Sequence, residues 1–340
     1  MFSPAPIRNR SLRLPVLTNQ LSEETPILSF TVAETDGGKR LDAFLAENVE
    51  GWSRSRLQRL ITEGDVLVNE KQVKPSYRMH ENEEIEVELV ELAAAKFEPE
   101  NIPLDIIFED EYLAVINKPA GMVVHPGAGV QSGTLANAIA YHFNFEESAG
   151  SGEPTELRVG IVHRLDKDTS GLIVVAKNDE IHEALSDQFR EREVYKNYVA
   201  LVHGSPLDTS GKIDAPIGRN KHNRLRMKIA NHGRNALSLW KVRTRFEKFT
   251  LLDVEIKTGR THQIRVHLAS INFPVVGDEI YNEGRDNTVN DINVRNAIKS
   301  LNRFFLHAEK LSFTHPKTKE RMDFVLPLPD ELTQFLEMIA

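Results

Sequence analysis

From Leu104 onward the chain is a succession of short apolar runs: Leu113–Asn117, Met122–His125, Gly160–Val162, Leu172–Ala176, Tyr198–Val202, Leu251–Ile256 and Met322–Leu326. Gly, Pro and Asn turns separate them. Runs of three to six residues are strand-length rather than helix-length, and stretches of helical spacing between them are few. The pattern predicts an α+β fold whose larger domain is built on a mixed, largely antiparallel sheet.

The residues upstream follow a different rule. Residues 1–28 carry Pro4, Pro6, Pro15 and Pro26 with no apolar periodicity, so they read as an unstructured extension, with order starting between Ile27 and Val32. Leu41, Phe44 and Leu45 then recur at helical spacing, and Ser53 is placed to cap a second helix with Leu57, Leu60 and Ile61 on one face and Gly64 at its end. Asp65 to Val73 reads as two short strands about a polar turn, followed by the alternation Ile85-Glu86-Val87-Glu88-Leu89. These features give a compact module over 29–92. A Pro- and charge-containing linker over 93–103 separates it from a larger domain over 104–340.

Composition excludes several classes of function. The 340 residues contain no cysteine, which removes disulfides, thiolate nucleophiles and Cys-based zinc sites. That is consistent with a reducing compartment, and no apolar run approaches the roughly 18 residues of a spanning helix, so the expected location is the cytoplasm, away from membranes. Arg8, Arg10 and Arg13 precede the first acidic residue, Glu23, a bias also found in organelle-targeting segments.

Net charge is −8, yet its distribution is uneven. Between Glu81 and Glu111 there are twelve acidic residues and one lysine, whereas from Arg158 to Ile271 there are 21 Lys/Arg against 13 Asp/Glu. The second half therefore carries whatever surface meets a polyanion.

Asp166 sits in the polar segment His163-Arg164-Leu165-Asp166-Lys167-Asp168-Thr169-Ser170-Gly171 between two apolar runs, hence on a loop held by a sheet. By composition alone the segment is equally a simple turn. A second cluster, Lys257-Thr258-Gly259-Arg260-Thr261-His262-Gln263-Ile264-Arg265-Val266-His267-Leu268, follows a strand, and Thr261 is the expected cap of a helix with Ile264, Leu268 and Ile271 on one face. Arg265 then projects one turn inside, where it could pair with a loop carboxylate and hold it ionised, or form an ordinary ion pair. His262 and His267 are five apart, not the i,i+4 spacing of zinc proteases, so no metal site is expected there.

Two basic features point to nucleic acid. Ile217 to Lys228 holds five Lys/Arg, including Arg219 and Arg224, and no acid, which suits a loop lying along phosphates or a merely solvated face. Arg56 and Arg59 share a face of the second N-terminal helix.

Taken together, Val162-His163-Arg164-Leu165-Asp166 with Thr169-Ser170-Gly171, and Thr258-Gly259-Arg260-Thr261-His262-Gln263-Ile264-Arg265-Val266-His267, resemble the RluA-type family of RNA pseudouridine synthases. The likeness extends to Asn117-Lys118-Pro119-Ala120-Gly121-Met122-Val123-Val124-His125-Pro126, to Leu306-His307-Ala308 and to His315-Pro316, covering about residues 104 to 328; residues 38 to 92 resemble an alpha-L RNA-binding module. The chain departs from the family's pattern after Val276-Gly277-Asp278, where Glu279-Ile280-Tyr281 leads into a polar stretch from Asn282 to Ser300.

The resemblance implies a pseudouridine synthase fold and isomerisation of uridine in structured RNA, ribosomal RNA of the large subunit first and transfer RNA second. It implies Asp166 as catalytic aspartate, Arg265 as its partner, Tyr198 as the ring stacked on the flipped uracil and Leu311 in the apolar wall. His163, Arg164, Arg260 and His262 would face the substrate, and Arg219, Arg224, Arg56 and Arg59 the RNA. No cofactor or metal is expected, the partner is RNA or a pre-ribosomal large subunit, and the enzyme is expected to be a monomer. The chemistry is consistent with one ionised carboxylate, because breaking the bond at C1′ builds oxocarbenium character that a carboxylate can stabilise or trap. Attack on C1′ and removal of a sugar proton both remain open. A non-catalytic RNA-binding or assembly factor keeps the same fold, and a small-substrate glycosidase would want a second acid better placed than Asp168.

Overall fold

The computed structural model describes residues 27–49, 52, 54–89, 98–126, 130–144, 160–220, 223 and 226–340, with the side chains of Ser55, Arg56, Arg59 and Glu63 left out. Most of the N-terminal extension and the first part of the linker, 93–97, therefore lie outside the described residues.

The N-terminal module runs β1 (Ile27–Thr31), α1 (Leu41–Asn48), α2 (Arg54–Glu63), β2 (Val66–Val68), β3 (Lys71–Gln72) and β4 (Glu84–Glu88). Its strands form an antiparallel sheet in the order β1-β4-β2-β3. The predicted apolar faces, Leu41, Phe44 and Leu45 of α1 with Leu57, Leu60 and Ile61 of α2, meet Val66, Ile85 and Val87 in one core. Gly64 ends α2 with φ +86°, the left-handed turn that favours glycine. Asp42 is fully buried and receives hydrogen bonds from Arg40, Arg54 and Gln58, which pins α1 to α2.

The larger domain contains β5 (Asp105–Glu109), β6 (Leu113–Lys118), α3 (Leu135–His142), β7 (Ser170–Ala176), α4 (Asp179–Arg190), β8 (Tyr195–His203), β9 (Ser210–Asp214), β10 (Ile217–Arg219), β11 (Met227–Ile229), β12 (Leu237–Arg245), β13 (Phe249–Ile256), α5 (Gln263–Ser270), α6 (Ile292–Leu301), β14 (Leu306–Thr314), β15 (Arg321–Val325) and α7 (Asp330–Ile339). Nine strands form one sheet in the order β5-β6-β7-β14-β8-β13-β12-β9, with β15 also on β14, and β10 and β11 make a separate hairpin. Among the described residues only β7 and β14 pair in parallel, so the sheet is mixed and largely antiparallel.

Alternation along the strands divides the core by face. Ile173 and Val175 of β7 pack with Tyr198 and Ala200 of β8, under α3 and α5, while Leu172 and Val174 pack under α4. All of Ser170–Ala176 is buried because both faces are covered.

Two predicted strands are not strands. Met122–His125 follows Gly121 at φ +84°, and the carbonyls of Val123 and Val124 accept the N–H groups of Leu135 and Ala136. They satisfy the open N-terminus of α3 instead of a neighbouring strand. Gly160–Val162 makes a single bridge, Ile161 to Val175. The polar stretch after Asn282 also folds: α6 lays Val294, Ala297, Ile298 and Leu301 against Phe305 and against Leu332 and Phe335 of α7.

Candidate active site

Two segments converge where β7 and α5 begin. The loop before β7 is held from below by Lys118, a fully buried lysine whose Nζ donates to the carbonyls of Pro119, Met122 and Lys167 at 2.7, 2.8 and 2.9 Å. The Gly121 N–H also donates to the Lys167 carbonyl, and the Thr169 N–H closes a turn on the Asp166 carbonyl. Gly171, at φ +115°, lets β7 approach β14, since a Cβ there would collide with the Ala308 backbone.

The second segment is pinned by Gln263. Its Oε1 accepts from Thr258 Oγ1 and the Arg260 N–H, and its Nε2 donates to the Leu237 carbonyl and Ser238 Oγ. The cap of α5 is His262 rather than the expected Thr261. His262 stands in the left-handed region at φ 53° with no side-chain cap, a conformation histidine tolerates better than most residues.

Between the segments lies a cleft of about 60 Å³ lined by Arg164, Asp166, Tyr198, Arg260, His262, Arg265, Ile256 and Leu306, among others. Arg265 Nη1 donates to Asp166 Oδ2 at 3.1 Å. The rest of its guanidinium makes a bidentate pair with the fully buried Asp278, Nε to Oδ2 at 2.7 Å and Nη2 to Oδ1 at 2.9 Å. Its planar face lies 4.2 Å from the Phe304 ring centre and 5.1 Å from that of Tyr281.

Burial by itself would raise the pKa of Asp166, but the positive charges of its neighbours and the Arg265 hydrogen bond outweigh it, leaving the carboxyl below the usual range. His262 is pushed down to about 4 by burial, so at neutral pH the cationic neighbours are Arg265 and Arg164. Its Nδ1 lies 2.8 Å from Tyr281 Oη, which also accepts the Met227 N–H of β11 at 2.7 Å. Burial raises the Tyr198 phenol, and the Asp166 charge raises it further, so the ring is neutral. The site thus offers one ionised carboxylate, one fixed cation and a neutral aromatic ring, all largely buried, in one cleft. Among the described residues no group of three His, Cys, Asp or Glu is placed to hold a metal ion, and no helix is long and apolar enough to cross a membrane.

Of the residues expected here, Asp166, Arg265, Tyr198, Arg164, Arg260 and His262 line the cleft together. His163 turns elsewhere: Nε2 accepts the Val174 N–H at 3.1 Å and the ring stacks on Phe189. Burial lowers it to about 3, so it is a neutral brace for the loop rather than a substrate contact. Leu311 packs with Leu172, Val174 and Leu185 beneath α4, and the leucines of the cleft wall are Leu165 and Leu306. Arg219 faces Glu88 of the N-terminal module at 3.6 Å and is largely buried. Arg224 lies outside the described residues, as do the side chains of Arg56 and Arg59. Asp278, Tyr281, Phe304 and Lys118 are the parts that sequence reasoning missed. A lysine ending the strand Leu113–Lys118, after the apolar run Leu113–Ile116, and the acid of Val276-Gly277-Asp278, were the available signals.

Comparison with known proteins shows the family and the fold. The family model described as RNA pseudouridylate synthase matches residues 112–270, and that of the S4 domain matches residues 39–85. A Bacillus subtilis protein named as an uncharacterized RNA pseudouridine synthase, YlyB, is 41% identical over 310 residues, 91% of this chain and 97% of its own. Proteins named ribosomal large subunit pseudouridine synthase D are 41% identical in Xylella fastidiosa, over 90% of each chain, and 42% identical in Neisseria meningitidis, over 94% of this chain and 83% of the other. The solved structure of human RNA pseudouridylate synthase domain containing 4 shares the fold, with a TM-score of 0.54 at 23% identity over 69% of this chain and 92% of that one. With an S4 domain ahead of a catalytic sheet that brings an aspartate, an arginine and a tyrosine into one cleft, this chain belongs to the RNA pseudouridine synthase family.

Proposed function

We propose that the enzyme converts uridine to pseudouridine in ribosomal RNA of the large subunit, with Asp166 as catalytic carboxylate, Arg265 as its partner and Tyr198 as the stacking ring. The observation that carries this reading is the 3.1 Å pair between Arg265 Nη1 and Asp166 Oδ2 beside the buried Tyr198 ring. The names of relatives about 40% identical favour the large-subunit substrate.

The uridine leaves its stack, at a cost of a few kcal/mol offset by backbone contacts, and its base enters the cleft against Tyr198. Arg265 holds Oδ2 and so fixes the carboxylate plane. The ionised Asp166 then stabilises or traps the sugar as the C1′–N1 bond breaks. Exclusion of water keeps the freed uracil from escaping while it turns and rejoins through C5, and the C5 proton then leaves. Arg164 and Arg260, at the mouth, take the flanking phosphates.

The test is release of tritium from C5-labelled transcripts of large-subunit ribosomal RNA and of transfer RNA, together with carbodiimide mapping of RNA from cells lacking the gene. Release from the ribosomal transcript and loss of discrete carbodiimide stops are expected. Turnover of transfer RNA alone would move the substrate, and no turnover of either would sink the reading.

A further inference from the structure

A second cleft, of about 400 Å³, opens between the N-terminal module and the larger domain and meets the catalytic one at Arg260, which lines both. Lys71 and Gln72 of β3 form one wall; Arg192, from the turn after α4, and the segment Asn231-His232-Gly233-Arg234-Asn235 form the other. No carboxylate lines it, and among the described residues none lies within ion-pair distance of Lys71, Arg192 or His232. This is unusual in a chain of net charge −8.

The walls are fixed rather than incidental. Ile217 and Arg234 exchange backbone hydrogen bonds of 2.9 and 2.8 Å, which straps residues 230–235 to β10, and Gly233 allows the approach because a Cβ there would strike the Ile217 backbone. Arg234 forms an ion pair with the buried Asp65 at the end of α2, and Arg219 faces Glu88 of β4. Two carboxylates of the module thus engage two arginines of the larger domain, while Lys71 and Arg192 are exposed on opposite walls of the cleft and Arg260 Nε donates to the Asn235 carbonyl.

We infer that this cleft holds the backbone of a single-stranded segment adjoining the flipped uridine, so that module and catalytic pocket grip one continuous RNA strand. Lys71, Arg192 and Arg260 meet phosphates, while Gln72, Asn231 and Asn235 present amides suited to ribose 2′-hydroxyls. The fixed distance from Lys71 to Asp166 then measures off which uridine in a folded RNA is presented. The inference rests on the proposed RNA substrate and adds the path of the strand.

The experiment compares wild type with Lys71→Ala/Arg192→Ala on a long large-subunit RNA fragment and on a stem-loop trimmed to the target and its nearest neighbours. Loss of two phosphate contacts should make the slope of log Kd against log salt shallower by about 1.4 to 1.8, and raise KM on the long RNA about tenfold. On the trimmed RNA the two proteins should converge. The control Lys299→Ala/Lys319→Ala, which removes equal charge from α6 and the β14–β15 turn, should keep the wild-type slope. An unchanged slope and KM on the long RNA would overturn the inference, as would an equal defect on both RNAs or an equal effect of the control. Wild-type turnover of the long RNA separates this outcome from failure of the substrate reading, in which wild type itself releases no tritium.

Discussion

At the scale of residues, one guanidinium serves two carboxylates. Arg265 is clamped by Asp278 through two hydrogen bonds and presents its remaining edge to Asp166 through one. Asp166→Asn keeps the shape of the acceptor but removes the charge. It should lower tritium release at least a thousandfold, of the order expected when a covalent or electrostatic catalyst is lost, while the melting temperature stays near that of wild type. A variant that releases no tritium yet sustains the wild-type function in cells would instead support an assembly role, and one that keeps full turnover would remove Asp166 from the chemistry. Asp278 acts through Arg265 and also accepts the N–H groups of Ile280 and Tyr281. Asp278→Ala leaves a buried guanidinium half-paired, so urea unfolding should show a loss of about 3–5 kcal/mol. Asp278→Asn should recover part of that stability and less of the rate. The pH profile carries its own sign. Because Asp166 is held below the usual carboxylate range, the ionised form persists through pH 5, and the acid limb of kcat/KM should fall beneath that range. His262 titrates near 4, so an acid limb between pH 6 and 7 would place a histidine in the chemistry and contradict this assignment.

At the scale of elements, the site depends on how β6, β7 and β14 are pressed together. The buried Lys118 ammonium ties the catalytic loop to the turn after β6 through three carbonyls. Lys118→Met should fill the space yet take the ammonium from the Pro119 and Met122 carbonyls, at about 1–3 kcal/mol for each that finds no other partner, while the Gly121 N–H still serves the Lys167 carbonyl. The loop bearing Asp166 would loosen and kcat fall more than KM rises, as steady-state rates can establish. Gly171→Ala should destabilise by more than about 1 kcal/mol, since the residue sits at φ +115° against the Ala308 backbone. These constraints also mark what the sequence could and could not reveal. The apolar faces of α1 and α2, the Gly64 stop and the central strands β7, β8 and β13 were legible because period and punctuation are local properties. Met122–His125 misled because its apolar run feeds backbone acceptors to α3, a partner that periodicity does not encode. Asp166, Arg265 and Tyr198 were legible through the resemblance of motifs 99 residues apart, whose contact only the folded chain displays. His163, inside the same motif, was assigned to the substrate because a motif names residues and not the side from which each is seen. Asp278 was passed over because nothing local to an Asp after a glycine says that it will be buried against Arg265.

At the scale of the whole molecule, titration of buried histidines sets the response to acid. Burial lowers His125 and His163 to about 3 and His262 to about 4, and it lowers His267 and His307 as well. Each is neutral in the fold but has an ordinary value of 6.5 when exposed, so between these limits the unfolded chain binds the additional protons. Stability should therefore be complete above pH 7 and decline as pH falls below about 6.5, by up to about 1.4 kcal/mol per pH unit for each such histidine. The carboxylates with lowered values, Asp42, Asp110 and Asp166, are shifted in the same direction, by favoured rather than penalised charge, and withdraw their stabilisation only below the ordinary carboxylate value of 3.8. The interval from pH 6.5 to 4 thus belongs to the histidines. Urea melts at pH 7, 6 and 5 should give a falling unfolding free energy, and His163→Gln, whose amide oxygen can still accept the Val174 N–H, should reduce the slope by one proton's worth. Equal stability at pH 7 and pH 5 would mean that these rings take up protons in the folded state, and a wild-type slope in His163→Gln would mean that His163 is not one of the neutral braces.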